Sequence, residues 1–207
     1  MNPQAATKAS ASLEWDAAAT AIPGEQALGD RAVVAFSGDY ALAGAIDGLG
    51  HGPEAAAAAE SAASVLERAA GGDPAAAVLE CHRALHDTRG AALSLAAIDL
   101  RRHTMTWLGV GNVEARLLHP AQPGLVNDSL LLRSGIVGHD LPRLSAQTTR
   151  IARGDVLIFA TDGICRDFAD ALVVSGSCRD IAESILHQNA LGSDDALVLV
   201  IRYLTRA

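Results

Sequence analysis

The chain has 207 residues, 50% of them apolar and 19% charged, which suits one globular domain with a sizeable core and excludes an intrinsically disordered chain. A net charge of -8 without a basic stripe excludes the phosphate backbone of nucleic acid as a partner. Aromatic residues are only 3% and cysteines number three. The core must therefore come from Ala, Leu, Val and Ile, and Cys81, Cys165 and Cys178, which lack metal-ligand spacing, read as reduced thiols of a cytoplasmic protein.

Residues 1 to 11 read as a flexible polar tail without the basic-then-apolar pattern of a signal peptide. A single domain is expected over residues 12–207. Leu13 to Ile22 fits a first strand, and Ile22-Pro23-Gly24-Glu25 a turn. Arg31 to Phe36 and Tyr40 to Ile46 fit two strands of a hairpin around Ser37-Gly38-Asp39. A helix is expected from Pro53-Glu54, with proline in its first turn and an acid beside it, to about Ala70. Its alanine run, Ala55 to Ala59, lies between Glu54 and Glu60, so it is no membrane span. Gly71-Gly72 ends this helix, and Asp73-Pro74 caps a second one to about Thr88. Strands follow at Ala91 to Ile98, Thr104 to Val110, Val113 to Leu118 and Leu130 to Arg133, with Gly111-Asn112 as a tight hairpin turn. Asp155 to Thr161 fits another strand, Cys178 to Gln188 a helix, and Ala196 to Tyr203 the last strand. This order lacks the regular strand–helix alternation of a parallel sheet. It fits an α+β sandwich of two antiparallel sheets with helices packed outside.

Acids stand at the ends of these strands, most beside a glycine: Gly29-Asp30, Asp47-Gly48, Asp162-Gly163 and Gly192-Ser193-Asp194-Asp195. The hairpin makes Asp30 and Asp47 neighbours. If all four ends converge, two carboxylates about 5–6 Å apart repel by about 3 kcal/mol at an effective dielectric of about 20. Divalent cations reverse that sign. An all-oxygen donor set without a His or Cys cluster points to Mg²⁺ or Mn²⁺ rather than zinc. Two such ions, bridged by a carboxylate, would activate water for attack on a phosphate ester. A single Asp-Gly pair is more often a turn, and Asp39 is read as one.

On these residues the chain resembles the metal-dependent protein phosphatase (PPM) family, in its bacterial SpoIIE/RsbX-like branch. The most specific segments are Gly29-Asp30, Ala45 to Glu54, Leu157 to Ile164 and Gly192 to Val200. Thr88 to Ala92, Gly109 to Val113 and Gly135 to Gly138 are similar to that branch as well. The resemblance runs from about Glu14 to Tyr203. It implies a PPM-like sandwich and a phosphoserine/phosphothreonine phosphatase with a binuclear Mn²⁺ or Mg²⁺ centre. It also implies roles. Asp47 would bridge the ions and Gly48 would offer its carbonyl. Asp162 and Asp194 would hold one metal, Asp30 would lie near the other as a ligand often acting through water, and Asp195, in a neighbouring position, would be a further candidate ligand. Implied substrates are phosphorylated regulators of the STAS type in sigma-factor or stressosome pathways.

The sequence departs from the family in two places. A histidine often stands two residues after the bridging aspartate, where this chain has Leu49; His51 is then the candidate general acid, beside the plainer reading of a loop histidine. The arginine that binds phosphate in larger members has no match upstream of Asp30, where Glu25 stands. His82 and His86 share a helix face without the glutamate of a metalloprotease motif and read as helix-rim residues. Cys165 reads as a small buried thiol, and Arg89 as either a substrate contact or a loop anchor. Two other functions remain open on the same scaffold: a catalytically silent partner-binding regulator and a small-molecule phosphohydrolase.

Overall fold

The computed structural model describes residues 8–120, 127–169, 172 and 174–205. In chain order the elements are β1 (Lys8–Ala9), β2 (Leu13–Thr20), β3 (Asp30–Ser37), β4 (Tyr40–Gly48), α1 (Pro53–Arg68), α2 (Pro74–Ala84), β5 (Ala91–Asp99), β6 (Thr104–Val110), β7 (Glu114–Leu118), β8 (Asp128–Ser129), β9 (Leu132–Arg133), β10 (Gln147–Arg150), β11 (Val156–Ala160), a 3-10 turn (Arg166–Ala169), α3 (Cys178–Asn189) and β12 (Ala196–Tyr203). Most of the tail expected over residues 1 to 11 lies outside the described residues; Lys8–Ala9 pair with β2 as a short edge strand.

Two sheets carry the fold. One has the order β1-β2-β12-β11-β7-β8; the other has β10-β6-β5-β4-β3, with β9 also pairing β6. All pairs are antiparallel except β6 with β9. Successive side chains of a strand point to opposite faces, and here both faces are covered. Ala41, Ala43 and Ala45 of β4 join Leu157 and Phe159 of β11 and Leu197, Leu199 and Ile201 of β12 between the sheets. Leu42 and Ile46 of β4 turn the other way, against Ala58, Ala59, Ala62 and Leu66 of α1. Ile158 and Val198 pack on Ile181 and Ile185 of α3. The result is helices, sheet, sheet, helix. The central strands are apolar at nearly every position because neither face meets water, which is why their sequences show little alternation. The small residues of β4 and α1 let these layers approach closely.

Local signals fix the ends. Pro53 opens α1. The Asp73 side chain accepts from Ala75 N and caps α2, which ends at Ala84 and not near Thr88. Ser177 and Asp180 form a reciprocal capping box for α3. Among the described residues no helix is long and apolar enough to cross a membrane.

One expected turn is corrected. Gly111-Asn112 does not close a hairpin: β6 lies in one sheet and β7 in the other. At Gly111 the backbone takes a left-handed φ of 96°, which favours glycine, and the chain crosses between sheets. Of the strand expected at Leu130 to Arg133, only Leu132–Arg133 pair, parallel to β6.

Candidate functional site: a carboxylate cluster at the sandwich edge

The register of β3 with β4 places Asp30 directly opposite Asp47. Side-chain alternation then sets their direction. Asp47 falls on the same face as Ala41, Ala43 and Ala45, and Asp30 on the same face as Ala32 and Val34, all of which pack between the sheets. The two acids therefore extend the inter-sheet core at one end of the sandwich. The second sheet brings its own acids to that end: Asp162 follows β11, and Asp194-Asp195 precede β12.

Specific bonds join the two sheets here. Thr161, just past β11, donates its hydroxyl to Asp30 Oδ2 at 2.7 Å and accepts from Leu197 N at 2.8 Å. Asp195 is buried, and its carboxylate accepts from Ile22 N at 2.8 Å and Gly29 N at 2.6 Å. It thus ties the loop before β3 to the start of β12. Asn112, at the crossing between sheets, donates to Asp162 Oδ2 at 2.6 Å. Asp194 Oδ1 accepts from Asp195 N at 2.9 Å.

The glycines work by close approach. A Cβ on Gly48 would overlap the Ala55 carbonyl at the start of α1, and one on Gly163 would overlap the Asp195 carbonyl. Each Asp-Gly pair thus packs an acid-bearing strand end onto neighbouring backbone, which a side chain would block.

Electrostatics shows that the acids form one cluster. Burial first, then Asp30, Asp162, Asp194 and Asp195 in turn, push the Asp47 carboxyl up to about 8. Burial also pushes Asp30 up to about 7; the Thr161 hydrogen bond opposes this, and Asp195, Asp162 and Asp194 add to it. Asp162 is raised by burial and by Asp194, against the Asn112 hydrogen bond. Four strand ends therefore deliver mutually repelling carboxylates to one place. Among the described residues no three His, Cys, Asp or Glu side chains already close on a single point as metal ligands would. The fold gathers the oxygens without a finished cage.

Residues 37–204 match the family of Stage II sporulation protein E (SpoIIE). The chain belongs to the SpoIIE family. The match includes Asp47, Asp162, Asp194 and Asp195 but begins after Asp30, which is placed by its strand register and the bond from Thr161. Phosphoserine phosphatase RsbX of Bacillus subtilis (strain 168) is 25% identical over 141 residues, covering 68% of this chain and 69% of that protein. A solved chain from the bacterial stressosome, a modular system adapted to control secondary messenger signalling, is 28% identical and superposes with a TM-score of 0.83, covering 92% of this chain and 99% of that one. The crystal structure of RsbX in complex with magnesium superposes with a TM-score of 0.84 at 21% identity, covering 96% and 98%. The sandwich of this SpoIIE-family chain is the PPM phosphatase fold.

His51 lies on the loop after β4, with Nδ1 3.0 Å from Glu25 Oε1. That pair links the loops on either side of the β3–β4 ribbon. Arg89 pairs with Glu54 at the start of α1, a loop anchor. Thr161 and Asn112 were not singled out as site residues from the sequence. Parity along β11 could have marked Thr161, since it continues the inter-sheet face of Leu157 and Phe159. Asn112 lay hidden behind its reading as a turn residue.

Proposed function

We propose that the protein is a metal-dependent phosphoserine/phosphothreonine phosphatase acting on a phosphorylated regulatory protein in the cytoplasm. The observation that carries this reading is the convergence of acids delivered by β3, β4, β11 and β12 at one edge of the sandwich, where Asp30 faces Asp47 and is bonded by Thr161. An all-carboxylate and carbonyl donor set fits Mg²⁺ or Mn²⁺, and the raised Asp30 and Asp47 carboxyls are what nearby positive charge would relieve. Asp47, Gly48 through its carbonyl, Asp162 and Asp194 are the proposed ligands of two ions, with Asp30 beside them. Bound there, the ions would supply Lewis acidity toward the phosphate ester and toward water.

The chain's own residues supply position. Thr161 holds the Asp30 carboxylate, Asn112 holds Asp162, and Asp195 fastens the loop that leads into Asp30. Both Asp195 oxygens already accept amide hydrogens, which favours a supporting role over direct ligation. His51 is the proposed proton donor to the leaving serine oxygen, its ring oriented by Glu25. The likeness to a phosphoserine phosphatase and to a stressosome chain supports a phosphoprotein of the STAS type as substrate.

The test is hydrolysis of para-nitrophenyl phosphate and of a phosphorylated STAS-domain protein. Both reactions should need Mn²⁺ or Mg²⁺, stop with EDTA, and fall by about a hundredfold or more in Asp47→Asn. Turnover that survives EDTA and Asp47→Asn would overturn the proposal. Release of phosphate from nucleotides but not from the phosphoprotein would favour a small-molecule phosphohydrolase.

A further inference from the structure

A cleft of about 520 Å³ opens beside the acids. Leu49, two residues past Asp47, lines one side, with Ala92, the register partner of Asp47 on β5. Asn112, already bonded to Asp162, lines it too, and Arg166 stands at its wall. Arg166 begins the 3-10 turn four residues beyond Asp162. Its side chain is 80% exposed, and Nε sits 3.9 Å from Glu114 Oε1. That is beyond hydrogen-bond range. Glu114 is meanwhile held by Arg116 at 2.7 Å.

Two other arginines beside the acids, Arg31 and Arg89, are committed. Arg89 is bound to Glu54. Arg31 is bound to Glu60 and to the carbonyls of Leu28 and Asp30. The loop before Asp30 carries an acid, Glu25, tied to His51. A phosphate monoester dianion approaching a net charge of -8 needs positive charge at its peripheral oxygens as well as beneath it. A guanidinium presents paired donors that match those oxygens. Swinging away from a 3.9 Å contact gives up little.

We propose that Arg166 is the phosphate-binding residue of this site, its guanidinium reaching from the cleft wall beside Asp162 to the peripheral oxygens of the substrate's phosphate. This inference rests on the phosphatase reading above. It assigns anion recognition to the segment after β11 and not to the segment before β3.

The experiment compares wild type, Arg166→Ala and Arg166→Lys, all loaded with Mn²⁺. Loss of one charge-assisted, two-pronged contact should raise KM for para-nitrophenyl phosphate about 10–100-fold. The inhibition constant of inorganic phosphate should rise by the same factor, and lysine should restore part of it. Mn²⁺ affinity and melting temperature should stay at wild-type values. Unchanged KM and inhibition constant in an active Arg166→Ala protein would overturn the inference while leaving the phosphatase reading intact. A KM that rises only for a phosphoprotein would also overturn it, because Arg166 would then touch polypeptide and not phosphate. If wild type shows no metal-dependent turnover, the phosphatase reading fails. Calorimetric titration of inorganic phosphate into Mn²⁺-loaded wild type and Arg166→Ala then still decides whether Arg166 binds the anion: weaker binding in the variant supports it, equal or absent binding in both overturns it.

Discussion

The two halves of the acid cluster are built differently. Asp30 and Asp47 sit face to face in one strand pair, fixed by its register, and burial drives both carboxyls far above their ordinary range. Asp162 and Asp194 sit on loops of the other sheet, where Asp162 is exposed and steadied by Asn112. The first half is held by strand pairing and is electrostatically strained. The second is held by loop hydrogen bonds and, at Asp162, meets solvent. Under the proposed function the first half stores repulsion that a cation would relieve, and the second would complete the donor set.

The largest effect should come from disturbing the packing under the strand-paired half. Gly48→Ala would force a methyl into the Ala55 carbonyl and push β4 from α1. We expect about 3 kcal/mol or more of lost stability, measured by denaturant unfolding. Gly163→Ala meets backbone as well, at Asp195, but in a loop beyond the end of β11 and not inside a strand paired on both sides, and should lose less. Equal losses would erase the contrast between the halves.

The next effect is pH dependence in EDTA. Unfolded aspartates titrate near 4, whereas folded Asp30 and Asp47 are raised to about 7 and about 8. A raised carboxyl favours the protonated folded state, so the penalty is absent below about pH 4 and grows as pH rises toward 8. The metal-free protein should therefore melt at lower temperature at pH 8 than at pH 5. Asp47→Asn should flatten this slope by about 1–3 kcal/mol across the window, and Asp162→Asn should flatten it less. A slope of opposite sign in EDTA would contradict the assigned burial.

The smallest effect concerns the loop-borne half. Asn112→Ala removes the amide that holds Asp162. It should weaken Mn²⁺ binding about tenfold with little change in melting temperature, as read by metal titration and thermal scans.

The legibility of the sequence divides along the same line. The Asp30–Asp47 neighbourhood could be read because Ser37-Gly38-Asp39 marks a short hairpin loop, and loop length sets register. The strand Ala196–Tyr203 stood out because it is apolar on both faces. The crossing at Gly111-Asn112 could not be read, because a left-handed glycine signals a turn without naming the sheet that receives the next strand. The anchoring by Asp195 was hidden for a related reason: its partners, Ile22 and Gly29, lie at the far end of the chain and offer only backbone amides. The strand Gln147–Arg150 escaped notice because it is a polar edge.

The central claim is that these carboxylates form a divalent-cation site. It is tested most directly by calorimetric titration of Mn²⁺ at pH 7 in two buffers with different heats of ionisation. Because Asp30 and Asp47 hold protons near that pH, binding should be saturable and should release protons, giving buffer-dependent heats that diminish in Asp47→Asn. Absence of saturable binding, or identical titrations for wild type and Asp47→Asn, would contradict the account.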